Sequence, residues 1–560
     1  MDMQSINFPV GISDFEKIRT NHYYYVDKSG LISELLEKSS AEVTLITRPR
    51  RFGKTLGMSM LANFFDIRKD SRALFEGLEI TSSPSLCQKW MNQCPAIFLS
   101  LKDIDGLTFQ NAYSQLETQI SELYKQFTYL CDCDRIDSDD KRIFLLLKTS
   151  QATHTQLSRS LSLLMRMMHQ YYQKPVILLL DEYDVPLAKA SNHGYYPQML
   201  EIIKTMMSTA LKDNPSLGFA VITGCLKIAK ESIFTGTNNF VSDTISSSRL
   251  NEYFGFTQKE VDRLLKDANA SKAASSIKRW YDGYHFGEFD VYCPWDVINY
   301  LRDLQRNPHI LPAGYWKNTS DNAIIRSFID HSGPAITQKL ETLLSGGYIL
   351  QSIDENLTYD YLHSSEENLW SILYLTGYLT KLPASALASP LPQDIFALTI
   401  PNAEIQEIFE TTILKWFQDS AKTWNKTALL DAVWNADPQK LTLEMASLLR
   451  RTISYHDYHE DFYHAFLAGI FTGAGYVVDS NKEHGEGRSD IVVYDPLNSC
   501  VAVFEVKCSK TLKNMESDCQ KALLQIEDRK YTSSFADDYD QIFCYGISFF
   551  RKRCLAAAET

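Results

Sequence analysis

Gly53-Lys54-Thr55 stands where a short β-branched run, Val43-Thr44-Leu45-Ile46-Thr47, passes through the cationic turn Arg48-Pro49-Arg50-Arg51-Phe52 into a segment of helical pattern, Leu56 to Phe65. Backbone N–H groups at a helix start lack intrahelical partners and carry the positive end of the dipole, so that position favours an anion. Lys54 supplies a mobile charge for the β- and γ-phosphates of a nucleotide, and the Thr55 hydroxyl supplies a ligand for Mg²⁺. A generic phosphate loop has glycine five positions before Gly53, where this chain has Arg48. The tripeptide alone therefore leaves an ordinary strand-to-helix turn open, and a partner motif must decide.

That partner is Pro175-Val176-Ile177-Leu178-Leu179-Leu180-Asp181-Glu182-Tyr183-Asp184. A continuous apolar run between helical segments suits a strand buried on both faces of a parallel sheet, with its carboxyl end at the edge where ligands of such sheets bind. Asp181 is placed to hold Mg²⁺ beside Thr55, and Glu182 to orient and deprotonate an attacking water. Acids after a strand also cap helices. A Gly-Lys-Thr turn followed in order by an apolar run ending in Asp-Glu favours nucleotide binding over that reading. A further strand, Gly218 to Gly224, brings Thr223 to the same edge as a candidate hydroxyl facing the γ-phosphate or the water. The expected cofactor-binding set is Arg51, Phe52, Gly53, Lys54, Thr55, Asp181 and Thr223, with Glu182 catalytic and Thr55 and Asp181 on the metal.

A second constellation lies near the carboxyl end, Ser489-Asp490-Ile491-Val492-Val493-Tyr494-Asp495-Pro496-Leu497-Asn498-Ser499-Cys500-Val501-Ala502-Val503-Phe504-Glu505-Val506-Lys507. Two strand-like runs around Pro-Leu-Asn-Ser read as an antiparallel hairpin. With Tyr494 facing Val501, the register puts Asp490 opposite Glu505, and alternation puts Lys507 on the same face. Two carboxylates and a lysine so placed can bind a divalent cation that polarises a phosphodiester, while the lysine steadies charge or water. A salt-bridged surface patch is the plainer reading. Against it, the charges interrupt an otherwise apolar strand, where burial is costly without compensation.

The elements that must position these groups fit a long globular chain. Its 560 residues predict three or four domains, and 44% hydrophobic with 22% charged residues is ample for large cores. The formal charge of −13 argues against a generally basic nucleic-acid coat and leaves room for a local basic groove. The 11 cysteines form no framework, and Cys131-Asp132-Cys133 has no second pair at zinc spacing, so free thiols are expected. Met1 to Ser5 shows no secretory pattern and no apolar run approaches the ~20 residues that span a bilayer. The expected location is the cytoplasm, with no membrane partner.

Tyr23-Tyr24-Tyr25 could cradle a base or plug the edge of a core. Thr257-Gln258-Lys259-Glu260 has capping-box spacing and opens a helix through Val261, Leu264 and Leu265. With Trp280 to Phe286 and a helix from Val297 it suggests a small helical lid, from which Lys278 or Arg279 could reach the nucleotide or stand solvated. Tyr315 to Leu382 reads as helical, with turns at Gly346-Gly347 and Gly377. Ala384 to Pro401, holding Pro390, Pro392 and Pro401, is the strongest boundary signal. The expected division is 1–245 nucleotide-binding, 246–383 helical lid and helical region, 384–450 linker and helical region, and 451–560 the metal-site domain.

Thr47-Arg48-Pro49-Arg50-Arg51-Phe52-Gly53-Lys54-Thr55, the run ending Asp181-Glu182-Tyr183-Asp184, Thr223-Gly224-Cys225-Leu226-Lys227-Ile228 and Trp280-Tyr281-Asp282-Gly283-Tyr284 together resemble the bacterial AAA-ATPase-like family. That resemblance covers about the first half of the chain. It implies that Arg-Pro-Arg-Arg normally replaces the first loop glycine, so Arg48 departs from the generic pattern and not from the family. Three arginines exceed what one triphosphate needs, so at least one is expected to face away from ATP, towards the carboxyl-terminal domain or nucleic acid.

Asp490, Glu505 and Lys507 resemble the core motif of the PD-(D/E)XK nuclease superfamily over roughly Tyr455 to Phe550. The resemblance implies a metal set of Glu460, Asp490 and Glu505, with Asp490, Glu505 and Lys507 catalytic. It also matches Gly487-Arg488 and the helix position Gln525. His464 shares a helix face with Glu460 and reads either as a metal or phosphate group or as a hydrogen-bonded core histidine. Lys507, Lys510, Lys513 and Arg488 could form the local basic surface.

The fold expected is α/β, a P-loop NTPase parallel sheet with a helical lid, plus a carboxyl-terminal α/β restriction-endonuclease-like domain. The function expected is an ATP-dependent or ATP-gated, metal-dependent nuclease acting on nucleic acid, with DNA the partner favoured, using ATP and Mg²⁺, or Mn²⁺ at the nuclease site. The alternatives are a nucleotide-controlled switch whose nuclease-like domain binds without cleaving, and an ATPase acting on a protein. AAA-like sites often borrow an arginine from a neighbouring subunit, which makes a homo-oligomer the possible assembly.

Overall fold

The computed structural model describes residues 6–38, 41–228, 240–316, 334–357, 366–387, 389–392, 394–412, 427–451, 460–472, 474–484, 487–550 and 553–559. The chain divides into two compact units, Met1–Ser320 with Tyr348–Gln406, and Asp321–Gly347 with Glu407–Thr560.

In the first unit, β1 (Val43–Thr47), β2 (Ala96–Ser100), β3 (Val176–Asp181), β4 (Leu217–Gly224) and β5 (Phe240–Asp243) form one sheet in the order β2-β3-β4-β1-β5. Every neighbouring pair is parallel. All residues of β1 and β3 are buried, because helices cover both faces. Alternation divides β3 between two cores: Val176, Leu178 and Leu180 join one, while Ile177 and Leu179 join the other. The first core is filled by the helices Phe109–Lys125, Ser160–Tyr172 and Tyr196–Leu211, and the second by the loop helix Lys54–Phe65. Since β4 lies between β1 and β3, its last residues stand between the phosphate loop and the acidic pair.

The region expected to be a helical lid is mixed. The helix Gln258–Asp267 starts with the Thr257/Glu260 capping box read from the sequence. Beside it, β6 (Phe256–Thr257), β7 (Tyr284–Phe286) and β8 (Phe289–Tyr292) make an antiparallel sheet ordered β6-β8-β7. The β7–β8 hairpin turns at Gly287, where φ is 57°, and strands this short carry no readable period of two. The stretch read as helical from Tyr315 contains β9 (Ile349–Ser352) and β10 (Thr380–Lys381), which join β11 (Ile395–Thr399) in the order β10-β11-β9. Its residues 317–333 and 358–365 lie outside the described residues.

The proline-rich stretch expected as a linker therefore belongs to the first unit. Pro390 and Pro392 precede β11 and Pro401 follows it, and Ala397 and Leu398 are buried. The prolines punctuate a paired strand where they had suggested a domain boundary.

In the second unit, β12 (Val477–His484), β13 (Gly487–Asp495), β14 (Cys500–Cys508), β15 (Gln541–Phe550) and β16 (Arg553–Glu559) lie in chain order. Only the β14–β15 pair is parallel. Tyr494 pairs with Val501 as the register reading required. The helices Thr427–Trp434, Pro438–Arg451 and Glu460–Thr472 share one core with Ile491, Val493, Phe504 and Val506. The helix Met515–Asp528 places Ile526 with Val492, Val501 and Val503 on the opposite face.

Candidate nucleotide and nuclease sites

The loop that follows β1 needs left-handed backbone at Arg51 (φ 73°) and Gly53 (φ 85°), and not at Arg48. Glycine's freedom is thus required at Gly53, where the chain turns into its helix. Lys54 folds back over the loop: Nζ donates to the carbonyls of Arg48 and Pro49, each at 3.0 Å, and lies 3.4 Å from Glu182 Oε1 and 3.8 Å from Cys225 Sγ. Burial opposes its charge, and the Cys225 sulfur with the Glu182, Asp184 and Asp181 carboxylates more than restores it, so the lysine's pKa stands above its ordinary value.

Asp181 is fully buried and its carboxylate is held on both oxygens. Thr223 Oγ1 donates to Oδ1 at 2.6 Å and Ser100 Oγ to Oδ2 at 3.2 Å, and the Thr55 hydroxyl bonds the same group. Burial, then the neighbouring Glu182 charge, hold its pKa above the usual carboxylate range, while the hydroxyls and Lys54 pull it back. Thr223 therefore touches Asp181 and does not face the cavity. Glu182 sits at φ 54°, a left-handed conformation unusual for a glutamate, which turns its side chain towards Lys54. Asp184 anchors the chain after β4 by accepting from the N–H groups of Cys225 and Leu226, each at 2.9 Å.

A cavity of about 580 Å³ opens at this loop. It is lined by Gly53, Lys54, Thr55 and Glu182 from the loop and the acidic turn, and by Pro9 to Ser13, Tyr24, Tyr25, Phe256, Trp295 and Ile298. Charged groups together with apolar, aromatic walls suit a nucleotide. Tyr24 and Tyr25 thus line the cavity, and Tyr25 also packs edge-on against Phe15 at 5.4 Å. Lys28 ties this wall to the lid: Nζ contacts both Glu260 oxygens at 2.7 Å and the Glu252 carbonyl at 2.6 Å. Lys278 and Arg279 are exposed and line no part of the cavity.

The loop arginines separate in role. Arg48 is fully buried and points into its own unit, donating to the carbonyls of Thr47 and Asp243 and to Asn251 Oδ1 at 2.7–2.9 Å, with Asp243 Oδ1 at 3.6 Å. One arginine does face away from the nucleotide cavity, but inward and not towards nucleic acid. Arg51 stacks on Trp295 at 4.2 Å, and the Phe52 ring packs against Tyr284 and Phe286 at 4.9 and 5.0 Å. Phe52 can therefore meet a ligand only through its backbone.

In the second unit, the β13–β14 ladder runs from Asp495/Cys500 to Ile491/Phe504. One step further, the Asp490 carboxylate accepts from the Val506 N–H at 2.7 Å. Glu505 is buried on β14 and Lys507 Nζ lies 3.0 Å from its Oε1. His464 Nε2 stands 3.3 Å from Asp490 Oδ2, so the histidine is a buried partner of the aspartate. Glu460 opens the helix that carries His464, and its side chain lies outside the described residues, as does that of Arg488. Gln525 donates to Tyr531 Oη at 3.5 Å and not to the carboxylates. Lys510 and Lys513 are exposed.

A hard cation of low protein-ligand count is the group against which both sites are tested. Among the described residues no three His, Cys, Asp or Glu side chains cluster to hold a metal. Mg²⁺ retains several waters and is satisfied by one or two carboxylates. In one unit Thr55 lines the cavity and Asp181 is buried behind it, bonding the same hydroxyl, so Asp181 would act on a cation through Thr55 or a water. In the other, Asp490 is held by the Val506 N–H beside His464, and Glu505, also buried, is held by Lys507.

Sequence reasoning missed Ser100, Lys28, Trp295 and Asp184. Ser100 was accessible as the last residue of β2, in register with Asp181. The others depend on contacts distant in sequence.

Comparison with known proteins agrees with this division. Residues 9–234 match the family model described as predicted AAA-ATPase, and residues 458–559 match the PD-(D/E)XK nuclease superfamily. Over 559 residues the chain is 24% identical to a protein of Azotobacter chroococcum mcd 1 named "Uncharacterized protein in vnfD 5'region", covering 98% of this chain and 97% of that one. Among solved structures, the Aeropyrum pernix ORC2 protein in its ADPNP-ADP complexes is similar at a TM-score of 0.22 and 9% identity, over 69% of this chain and 92% of that chain. No helix among the described residues is long and apolar enough to cross a membrane.

Proposed function

We propose that this chain, in which a AAA-ATPase-like domain precedes a PD-(D/E)XK nuclease-superfamily domain, is an ATP-dependent or ATP-gated nuclease of the cytoplasm that cleaves DNA with the help of a divalent metal. One observation carries the reading: each unit holds a carboxylate–lysine pair beside a buried aspartate, Glu182 and Lys54 next to Asp181 in one, Glu505 and Lys507 on the strand that Asp490 bonds in the other.

At the nucleotide site the chain's groups divide the work. Lys54 and the N–H groups from Gly53 onward hold the β- and γ-phosphates, exchanging the loop carbonyls that Lys54 now caps for phosphate oxygens. Thr55 and Asp181, directly or through water, would hold Mg²⁺, which would supply charge neutralisation on the phosphates. Thr223 and Ser100 fix Asp181, and Glu182, released from Lys54, takes the proton of the attacking water. At the nuclease site Asp490 and Glu505, with Glu460 by resemblance to the superfamily, would hold Mg²⁺ or Mn²⁺, which would supply Lewis-acid polarisation of a phosphodiester. The Val506 N–H and His464 orient Asp490, and Lys507 stabilises the charge that develops on the phosphate or the proton state of the water.

Two substitutions test this in the full chain. Lys54→Ala abolishes ATP binding or turnover. Lys507→Ala abolishes Mg²⁺- or Mn²⁺-dependent cleavage and leaves ATP turnover at the parental rate. If parental protein with metal and ATP cuts neither single- nor double-stranded DNA or RNA, the nuclease reading falls and the nucleotide-controlled switch takes its place.

A further inference from the structure

The cavity lining includes a cation that the constellation above does not use. Lys102 lines the cavity together with Lys54, Thr55, Glu182 and Lys189, and it is exposed. The other lysines of the lining have carboxylate partners: Lys28 has Glu260, Lys54 has Glu182, and Lys189 has Asp105 at 3.1 Å. Among the described residues Lys102 has none.

The turn that carries Lys102 is built rather than loose. Leu101 N–H donates to the Asp181 carbonyl at 2.9 Å, one residue after Ser100 grips the Asp181 carboxylate. Leu101 and Ile104 are both buried in the main core, and Ile104 N–H closes the turn onto the Leu101 carbonyl at 3.2 Å. Beyond it, Asp105 is held by Lys189, and the Gly106 carbonyl accepts from Tyr195 Oη at 2.7 Å. Two buried side chains thus bracket Lys102 and Asp103, and the segment is fastened to β3 at one end and to the helix Val185–His193 with Tyr195 at the other. The backbone that carries the lysine is thereby fixed beside the acidic turn, and its exposed side chain is left to swing towards charge that develops before it.

We infer that Lys102 is a catalytic residue of ATP hydrolysis, the cation that meets the terminal phosphate from within the same chain. The inference rests on the ATPase reading. In the step, water attacks the γ-phosphorus, its proton passes to Glu182, the bond from phosphorus to the β–γ bridging oxygen breaks, and ADP and inorganic phosphate leave. Lys102 offsets the negative charge gathered on the γ-oxygens.

The test measures phosphate release from Mg²⁺-ATP by the full chain. Lys102→Ala is expected to lower kcat about 10²- to 10³-fold, as removal of a charge-stabilising donor does, with the KM for ATP held within about threefold. Lys102→Arg keeps most of the rate. A Lys102→Ala kcat within about threefold of the parent overturns the inference. Lys54→Ala separates the two failures. If it abolishes turnover while Lys102→Ala does not, only the role of Lys102 is lost. If the parent shows no turnover or Lys54→Ala leaves it intact, the ATPase reading falls as well.

Discussion

Replacing Arg48 with the glycine that a generic phosphate loop has at that position should damage the protein, although it restores the familiar pattern. Arg48 does not occupy a left-handed conformation, so glycine relieves no strain there and only adds freedom to the unfolded chain. The side chain is fully buried, and its loss strips a donor from the Thr47 and Asp243 carbonyls and from Asn251 Oδ1. It also leaves the buried Asp243 carboxylate with Arg249, 3.8 Å away, as its remaining cation. Removing one partner of a buried, hydrogen-bonded ion pair costs about 3–5 kcal/mol. At roughly 2–4 °C per kcal/mol for a large domain, Arg48→Gly should lower the Tm of the first unit by about 6–20 °C. Thermal unfolding followed by circular dichroism reads this, and Arg48→Gly combined with Asp243→Asn should recover part of the loss, because the stranded charge is gone. A Tm within about 2 °C of the parent would refute the reasoning. So would a double variant that simply adds the two single effects, or tighter ATP binding by Arg48→Gly.

Two further substitutions probe the cover over the loop. At Gly283 (φ 94°) a Cβ would sit 2.0 Å from the Pro401 carbonyl oxygen, so Gly283→Ala should destabilise by about 2–5 kcal/mol through a strained backbone and a main-chain clash. Gly194→Ala, at φ 79° with no atom within 4 Å, serves as the control and should cost only about 1 kcal/mol; equal Tm losses in the two variants would dismiss the packing of Pro401 on that turn. Asp296 is buried beside Cys293, Glu404 and Arg51, and burial pushes its pKa up to about 6 against the pull of those three. A raised carboxyl pKa means the folded state binds the proton more tightly, so this stability is present below the unfolded value and is lost as pH rises through about 6. Asp296→Asn should therefore gain on the parent by up to about 3 kcal/mol between pH 4 and 7, at ~1.4 kcal/mol per pKa unit, and a difference in Tm that is the same at pH 4.5 and 7.5 would rule this out.

How much of this was legible in the sequence followed from how local the cause was. The strands β1 and β3 announced themselves because a strand buried on both faces must be apolar at every position, and Val176 to Leu180 obeys that without exception. The Thr257/Glu260 box was readable because a cap and its reciprocal bond lie three residues apart. The pairing of Tyr494 with Val501 followed from one turn and the period of two. What that arithmetic could not give was the end of the ladder, where Asp490 turns to accept the Val506 N–H in place of a simple cross-strand position. The lid's short strands and β11 were hidden for a different reason. Two to five residues carry too little pattern, and prolines at the ends of a paired strand look the same in sequence as prolines in a linker. Lys28, Trp295 and Lys102 were hidden because their significance comes from contacts with residues far away along the chain.

The loop arginines show the same limit and also what the departure from glycine accomplishes. Successive residues each hold a different part of the first unit: Arg48 reaches Asp243 and Asn251, Arg51 lies on Trp295, and Phe52 enters the pocket of Tyr284 and Phe286. Pro49 packs where Gly377 leaves room, since a Cβ on that glycine would come within 2.9 Å of the Pro49 Cβ. A glycine-rich loop leaves the backbone mobile and depends on the anion to order it. This loop is ordered by side chains fastened to β5, the lid hairpin, the lid helix Pro294–Arg306 and the segment around Gly377. The carbonyls of Arg48 and Pro49 are the acceptors that Lys54 must release to reach a phosphate, so the groups exchanged on binding belong to the very residues that grip the surrounding elements. A phosphate bound at this loop would therefore act first on the residues that grip the surrounding elements, so that loss of the Lys54 bonds to the Arg48 and Pro49 carbonyls would be felt at the anchors of the lid.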